Sequence, residues 1–503
     1  MPSYLIAALH VIFVSALITR GLASFRHAEP WDRGARVGLA LVMALSFVLG
    51  PVVDGLEYED AYIHQAAAKY QAADFGGRTD GFYTKVCMAG AAHDCILEVT
   101  YGTHLVGFSV LLALLHTVAP NASSVANAVS AVAATLTLQI VWVVLRRHAG
   151  GTAGPVVGTA LLLTAPAFHV IGGSGFAEPL FALHFVCFVT LCVRIVAEHT
   201  RRLSISEWVL LSSNAFLLVS IKKEGVLLVT PMLALALAVW AGSKWRRAPP
   251  SRDLATLAVL CVLVISYAVG VLRIEDAAAR HAADIGRASF DVRFAARLLP
   301  ILFEAAFDVA SFGGLWPVLL ALSPMAFRAR DMAIWGGLAA VGAYVLLYAT
   351  HARHAAFVAG AAVLPDEMVR YIYVLAPAAA VVCGILVQRS LTQVPRPMWA
   401  MRARPTLVLI PLGALVGLCL AEVRWERFAL ADIERRNRLA PLQTEASNQT
   451  VFISPYSVAL IARAPATTVV IDERALDDTV VREWLRRQEA EGKRVVHAPA
   501  PEP

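Results

Sequence analysis

The sequence predicts a polytopic α-helical membrane protein of about 12 spans, ending in a small α/β domain. Three observations carry that prediction. The chain is 58% hydrophobic and only 16% charged. Apolar runs of about 18 residues or more recur as far as 421, and a helix satisfies its own backbone where lipid offers no partner. Beyond 421 the composition turns charged and the apolar runs shorten.

Spans are expected at 4–24, 35–53, 124–145, 152–171, 177–196, 206–221, 225–242, 254–272, 303–326, 332–349, 369–387 and 405–421. Met1-Pro2-Ser3 carries no basic region, so 4–24 reads as a span rather than a cleaved signal. Basic residues set the orientation, since loops rich in Lys and Arg stay cytoplasmic. Arg26, Arg33 and Arg36 share one short loop, and Arg146 and Arg147 another. Arg201 and Arg202, then Lys244 to Arg252, Arg328 with Arg330, and Arg389 to Arg404 continue the series. All fall on one side only if the apolar run 102–118 does not cross. That run therefore reads as a re-entrant or juxtamembrane helix on the outer side, and both termini lie outside. The net charge of +6 follows from this topology and gives no reason to expect a nucleic-acid partner.

Cysteine placement fits the same layout. Cys187, Cys192, Cys261, Cys383 and Cys419 lie in apolar spans, where thiols behave as small hydrophobes. Cys87 and Cys95 lie in the first outer loop, where a disulfide would brace it; two free thiols are the alternative.

The outer side carries the chemistry. Asp54-Gly55-Leu56-Glu57-Tyr58-Glu59-Asp60-Ala61-Tyr62-Ile63-His64 gathers carboxylates where an apolar segment ends, a costly placement usually kept for a task. If 56–70 is helical, Glu57, Asp60 and His64 share one face, which suits a divalent cation such as Mg or Mn. The same carboxylates also suit a helix cap at the interface. Further along lie Glu178 before Pro179, the turn Lys222-Lys223-Glu224, and a basic loop over 273–302. Loop 350–368 brings His351, Arg353 and His354, and Arg370-Tyr371 open the next span. Glu304 and Asp308, spaced i, i+4, line either the same cavity or an interfacial helix.

Carboxylates and cations on one face suit a reaction that expels phosphate. The carboxylate activates an incoming hydroxyl, and Lys or Arg stabilises charge on the departing group. Nucleotide-activated sugars are not supplied outside the cytoplasm, and the chain has no Walker-type loop or strand–GxGxxG–helix unit. A lipid-linked sugar fits, its isoprenoid tail held among the spans. The alternative is a transporter or flippase for a lipid-linked or anionic solute. That reading prefers ionisable groups at mid-span and a repeated half-structure, and the sequence has few such groups and no obvious repeat.

These residues also carry a resemblance. Glu59-Asp60-Ala61-Tyr62-Ile63 resembles the acidic first-loop motif of the GT-C polytopic glycosyltransferases, in the variant with an acidic pair before Ala-Tyr-Ile. Tyr101-Gly102-Thr103-His104-Leu105 resembles the start of the helix after that loop, and Phe176-Ala177-Glu178-Pro179 the second acidic position. Lys222-Lys223-Glu224-Gly225 and Arg370-Tyr371, with Pro377, resemble two later signatures. The order runs from about 35 to 390. The chain departs from the commonest pattern in having Glu first in the pair and an extra preceding span.

The resemblance implies an inner- or plasma-membrane glycosyltransferase with an extracytoplasmic active site. It implies transfer from a polyprenyl-phosphate sugar donor to a glycan or lipid acceptor in cell-envelope assembly, usually with inversion. Glu59 or Asp60 would be the base, with Glu178 a further catalytic carboxylate in the same cavity. Lys222, Arg370 and Tyr371 would contact substrate, as would His104, His351 and Arg353.

After a linker over 422–445, strands are expected at Thr450–Ser454, Thr467–Asp472 and Arg494–Val496. Helices are expected at Pro455–Arg463 and Asp477–Glu491. They make 446–503 a small outer α/β domain, beside a membrane domain over 1–421 whose outer loop, 54–123, carries the acidic motif.

Overall fold

The computed structural model describes residues 3–49, 68, 85–87, 98–100, 106–119, 125–149, 151–197, 203–243, 251–281, 292–326, 332–350, 365–392, 450–454, 469–472 and 479–497. The acidic pair, the expected span 405–421, the linker and Cys95 lie outside the described residues.

Helices occupy most of the expected spans. In order they are α1 (Ser3–Arg26), α2 (Pro30–Leu49), α3 (Val106–His116), α4 (Val125–His148), α5 (Ala153–Leu163), α6 (Pro166–Gly172), α7 (Ala177–Ala197), α8 (Ile205–Ile221) and α9 (Lys223–Ser243). Then come α10 (Ser251–His281), α11 (Ala295–Phe307), α12 (Val309–Phe312), α13 (Leu315–Ala326), α14 (Met332–Ala349), α15 (Pro365–Tyr373) and α16 (Ala376–Thr392). Among the described residues four are long and apolar enough to cross a membrane: Tyr4–Arg26, Val125–His148, Ala177–Ile195 and Asp253–Gly270. The bent pair α5 and α6 raises the number to five, well short of about twelve. Shorter apolar helices fill several of the remaining expected spans. Helix α3, at 11 residues, rises about 16 Å.

The outer surface of α1 shows what faces lipid. Leu5, Val11, Ile12, Ile18 and Leu22 are exposed, while Ile6, Ala7, His10 and Phe13 are buried against the bundle. Helix α7 is the centre: it packs against α4, α8, α9 and α14. Where both solvent and core are apolar, close backbone approach through small residues holds helices together. Helices α5 and α16 pack in this way. A methyl group on Gly154 would lie 2.5 Å from the Gly384 carbonyl oxygen, and one on Gly384 2.6 Å from that of Gly154.

Three expected spans are broken. Span 152–171 bends by 64° between α5 and α6. Pro166 opens α6 and Ala165 before it is extended (ψ 107°), as a residue preceding proline must be. The buried His169 ring then bonds the Leu163 carbonyl oxygen that the break leaves open, at 2.7 Å. Span 303–326 is three helices, because Asp308 is extended and its carbonyl oxygen accepts from Ser311 N and Phe312 N. Gly313 follows at φ +56°. In span 369–387, α15 stops at Tyr373 and α16 restarts with Pro377 in its first turn. The expected loop 273–302 is helical at both ends, since α10 runs on to His281 and α11 starts at Ala295.

At the end of the bundle where α2 and α8 begin, buried carboxylates collect arginines. Asp32 pairs with Arg36 at 2.8 Å and Arg146 at 3.2 Å, and accepts from Trp142 Nε1 at 3.0 Å. Glu207 pairs with Arg194 and Arg20 and closes a capping box with Ser204. The sequence reading had singled out neither carboxylate.

In the C-terminal region β3 (Thr450–Ser454) is the centre of a parallel sheet, between β4 (Val469–Asp472) and β5 (Arg494–His497). Val451 pairs with both Val469 and Val495, and Thr479–Ala490 is the helix between β4 and β5. Two further strands, β1 (Lys85–Cys87) and β2 (Glu98–Thr100), form an antiparallel pair that the sequence did not predict.

Gly384→Leu is expected to drive α5 and α16 apart and lower stability by about 1–3 kcal/mol, the usual range for overpacking. Thermal unfolding in lipid nanodiscs measures it. Glu207→Ala strands Arg194 among buried groups and should cost about 3–5 kcal/mol by the same measurement.

Candidate functional site

At the opposite end of the bundle, four charged side chains from three parts of the chain meet. Glu178 stands in the first turn of α7, where the helix dipole favours a carboxylate. The turn that delivers it is fixed from α4: Asn127 Nδ2 donates to the Gly173 carbonyl at 2.9 Å and Ser130 Oγ to that of Phe176 at 2.8 Å. Gly175, at φ +77°, lets the chain reverse there.

Lys222 is the extended residue (φ −144°, ψ 145°) between α8 and α9. Gly225 keeps this turn tight, since a methyl group there would lie 2.0 Å from the Leu218 carbonyl oxygen. Arg370 comes from α15, which packs against α6, α7 and α11. The break at Pro166 therefore has a consequence for the site: it turns α6 under α15, where Phe168 stacks on Tyr373 at 5.5 Å.

Glu178 Oε1 receives both cations. Lys222 Nζ donates to it at 2.7 Å, and Arg370 Nε forms an ion pair with it at 3.2 Å. Aromatic faces flank them. The Arg370 guanidinium lies 5.1 Å from the Phe176 ring centre and 5.3 Å from that of Tyr371, and Lys222 Nζ is 5.3 Å from Tyr371. Glu224, the second carboxylate, accepts from the Tyr348 hydroxyl. The Tyr348 ring lies between those of Tyr344, at 4.8 Å, and Tyr371, at 4.6 Å, tilted against both. Burial works against the Lys222 ammonium, but the Glu178 and Glu224 carboxylates outweigh it and hold its pKa above the ordinary lysine range.

The two carboxylates and two cations balance in charge. Removing a single ion from water costs several kcal/mol, so the four are tolerable only as a set. An ammonium and a guanidinium that converge on one oxygen position have the chemistry to bind an oxyanion, and charge-assisted bonds of this type are the strong ones.

Of the residues singled out from sequence, Glu178, Lys222, Arg370 and Tyr371 come together here. Glu57, Glu59, Asp60, His64, His104, His351 and Arg353 lie outside the described residues. Helix α11 packs against α14 and α15, yet Glu304 faces outward from it, so it does not line this cluster. Asp308 is the residue at which α11 ends. Among the described residues no group of three His, Cys, Asp or Glu side chains is placed to hold a metal ion. Tyr344, Tyr348 and Tyr373 were missed by the sequence reading. The signal was present: tyrosines at 344, 348, 371 and 373 crowd the two helix ends that bracket loop 350–368.

No family model matches the chain, and no curated protein matches it. Its fold is similar to that of ArnT from Cupriavidus metallidurans, in the crystal structure bound to undecaprenyl phosphate. The TM-score is 0.56 at 11% identity, covering 92% of this chain and 89% of that one. The apo crystal structure of the same protein gives 0.55 at 13% identity, covering 88% and 89%. The chain thus shares the largely α-helical, polytopic membrane fold of that protein.

Lys222→Met and Glu178→Gln should each destabilise the protein, and the double variant should lose less than the sum. The expected coupling is about 0.5–3 kcal/mol, read from a double-mutant cycle of thermal unfolding. Strict additivity would mean that the ion pair does not form.

Proposed function

We propose that the protein is a glycosyltransferase that moves one sugar from a polyprenyl-phosphate donor to an acceptor hydroxyl on the extracytoplasmic face. The acceptor is a glycan or lipid of the cell envelope, and the membrane is the inner or plasma membrane. The observation that carries this reading is the convergence of Lys222 and Arg370 at one buried oxygen. They lie at the end of the bundle where α2 finishes. The likeness in fold to ArnT, seen bound to undecaprenyl phosphate, supports the same donor chemistry.

In this reading Glu59 or Asp60 takes the proton of the acceptor hydroxyl as its oxygen attacks the anomeric carbon. The bond from that carbon to the phosphate oxygen breaks, and the electron pair leaves with the polyprenyl phosphate. Lys222 and Arg370 hold that phosphate, with Tyr371 packed against both cations. Phosphate leaves well as an anion, so no strong general acid is needed. Attack opposite the departing group inverts the anomeric centre. His104, His351 and Arg353 are assigned to substrate contacts. A divalent cation at Glu57, Asp60 and His64 is compatible with the scheme and not required by it.

The same reading takes a topology of about 12 spans with both termini outside. Residues 1–421 form the catalytic membrane domain, 422–445 a linker, and 446–503 a small extracytoplasmic domain.

Release of free polyprenyl phosphate by the purified protein in lipid tests the reading, across a panel of polyprenyl-phosphate sugars and an envelope acceptor extract. Turnover with one donor is expected, falling at least about 100-fold in either Glu59→Gln or Asp60→Asn, as loss of a general base requires. Turnover indifferent to both substitutions, or none with any donor, would remove it.

A further inference from the structure

Glu178 is buried more deeply than the cations it holds. Its side chain is 2% exposed, against 14% for Lys222 and 11% for Arg370. One carboxylate oxygen, Oε1, occupies the point where ammonium and guanidinium converge. That is the position a phosphate oxygen would take. The geometry points to Glu178 as a resident stand-in for phosphate, which the donor displaces on binding and which displaces the polyprenyl phosphate product afterwards. This inference rests on the reading of Lys222 and Arg370 as phosphate ligands.

A charge argument says why such an exchange is needed. The donor phosphate is a diester with one negative charge. The product is a monoester carrying about −1.5 to −2 at pH 7. Two cations alone would therefore hold the product more tightly than the donor, and each turnover would end in a stalled complex. A tethered carboxylate competes at high effective concentration and lowers affinity for both, at no cost in new contacts.

A second observation supplies a landing site for the displaced carboxylate. The Tyr373 hydroxyl is fully buried and has no hydrogen-bond partner among the described residues. Tyr373 lies one turn after Arg370 on α15, which packs against α7, the helix that carries Glu178. A rotation of the Glu178 side chain toward Tyr373 would exchange two cation contacts for one hydroxyl donor. An unsatisfied buried hydroxyl costs about 1–3 kcal/mol, so the landing site offsets part of the loss.

Undecaprenyl phosphate serves as the probe, titrated against the full chain in nanodiscs, with inhibition of turnover measured in parallel. Glu178→Gln is expected to bind it at least about tenfold more tightly than the wild type. Turnover should become limited by product release, seen as a burst followed by a slow steady state. Glu178→Asp, whose shorter side chain reaches the cations less well, should shift both readouts in the same direction by a smaller factor, and it serves where the glutamine variant does not fold. Binding by either variant that is unchanged or weaker than wild type would overturn the inference and leave the phosphate site standing. Failure of undecaprenyl phosphate to bind the wild type and both variants would overturn the phosphate site itself, and the inference with it.

Discussion

A charge inside an apolar helical bundle must be paired, and the site depends on how Glu178 meets that demand. One carboxylate oxygen ties the start of α7 to the α8–α9 turn and to α15, elements drawn from positions 178, 222 and 370 of the chain. Removing any member leaves the others as uncompensated ions in surroundings that solvate them poorly. The same requirement explains the rest of the neighbourhood. Tyr348 satisfies Glu224, and the faces of Phe176 and Tyr371 cover the cations without competing for their hydrogens. In the proposed reading stability and phosphate binding therefore rest on the same contacts, and a phosphate that enters must replace an ion pair already there.

The frame that holds these groups is built without much help from the hydrophobic effect. Lipid is as apolar as leucine, so helices associate through close backbone approach and buried polar bonds. The Gly154–Gly384 contact between α5 and α16 is one such seam. The Asp32 and Glu207 networks are polar bolts at the end of the bundle remote from Glu178. Each carboxylate there engages two arginines, which fixes α1, α2, α4, α7 and α8 in depth relative to one another. Breaks in helices do the remaining positioning. Pro166 turns α6 beneath α15, and the Tyr373 terminus of α15 frees Arg370 from a continuous span.

Much of this was legible in the sequence, for a physical reason. Ionisable residues at the ends of apolar runs are too costly to be incidental, so Glu178, Lys222, Arg370 and Tyr371 stood out before any contact was known. What averaging over a span conceals is its interruption. Hydropathy across 152–171 or 303–326 is uniformly high, and the break signals (Pro166 in one, Asp308 and Gly313 in the other) are single residues within it. Tyr344 and Tyr348 were missed because tyrosine at a span end also serves as an ordinary interfacial anchor. Their role emerges only when Glu224 is seen to turn inward toward them. Asp32 and Glu207 were overshadowed by the arginines around them, which had already been used to set orientation.

The most direct test of the account is where a phosphate settles. A cryo-electron microscopy map of the full chain in nanodiscs with undecaprenyl phosphate would locate it. The expected result is a phosphate between Lys222 and Arg370, with Glu178 withdrawn from both and the acidic pair Glu59-Asp60 facing the site. A phosphate bound instead among the arginines at the Asp32 and Glu207 end, with the Glu178 ion pairs intact, would contradict it.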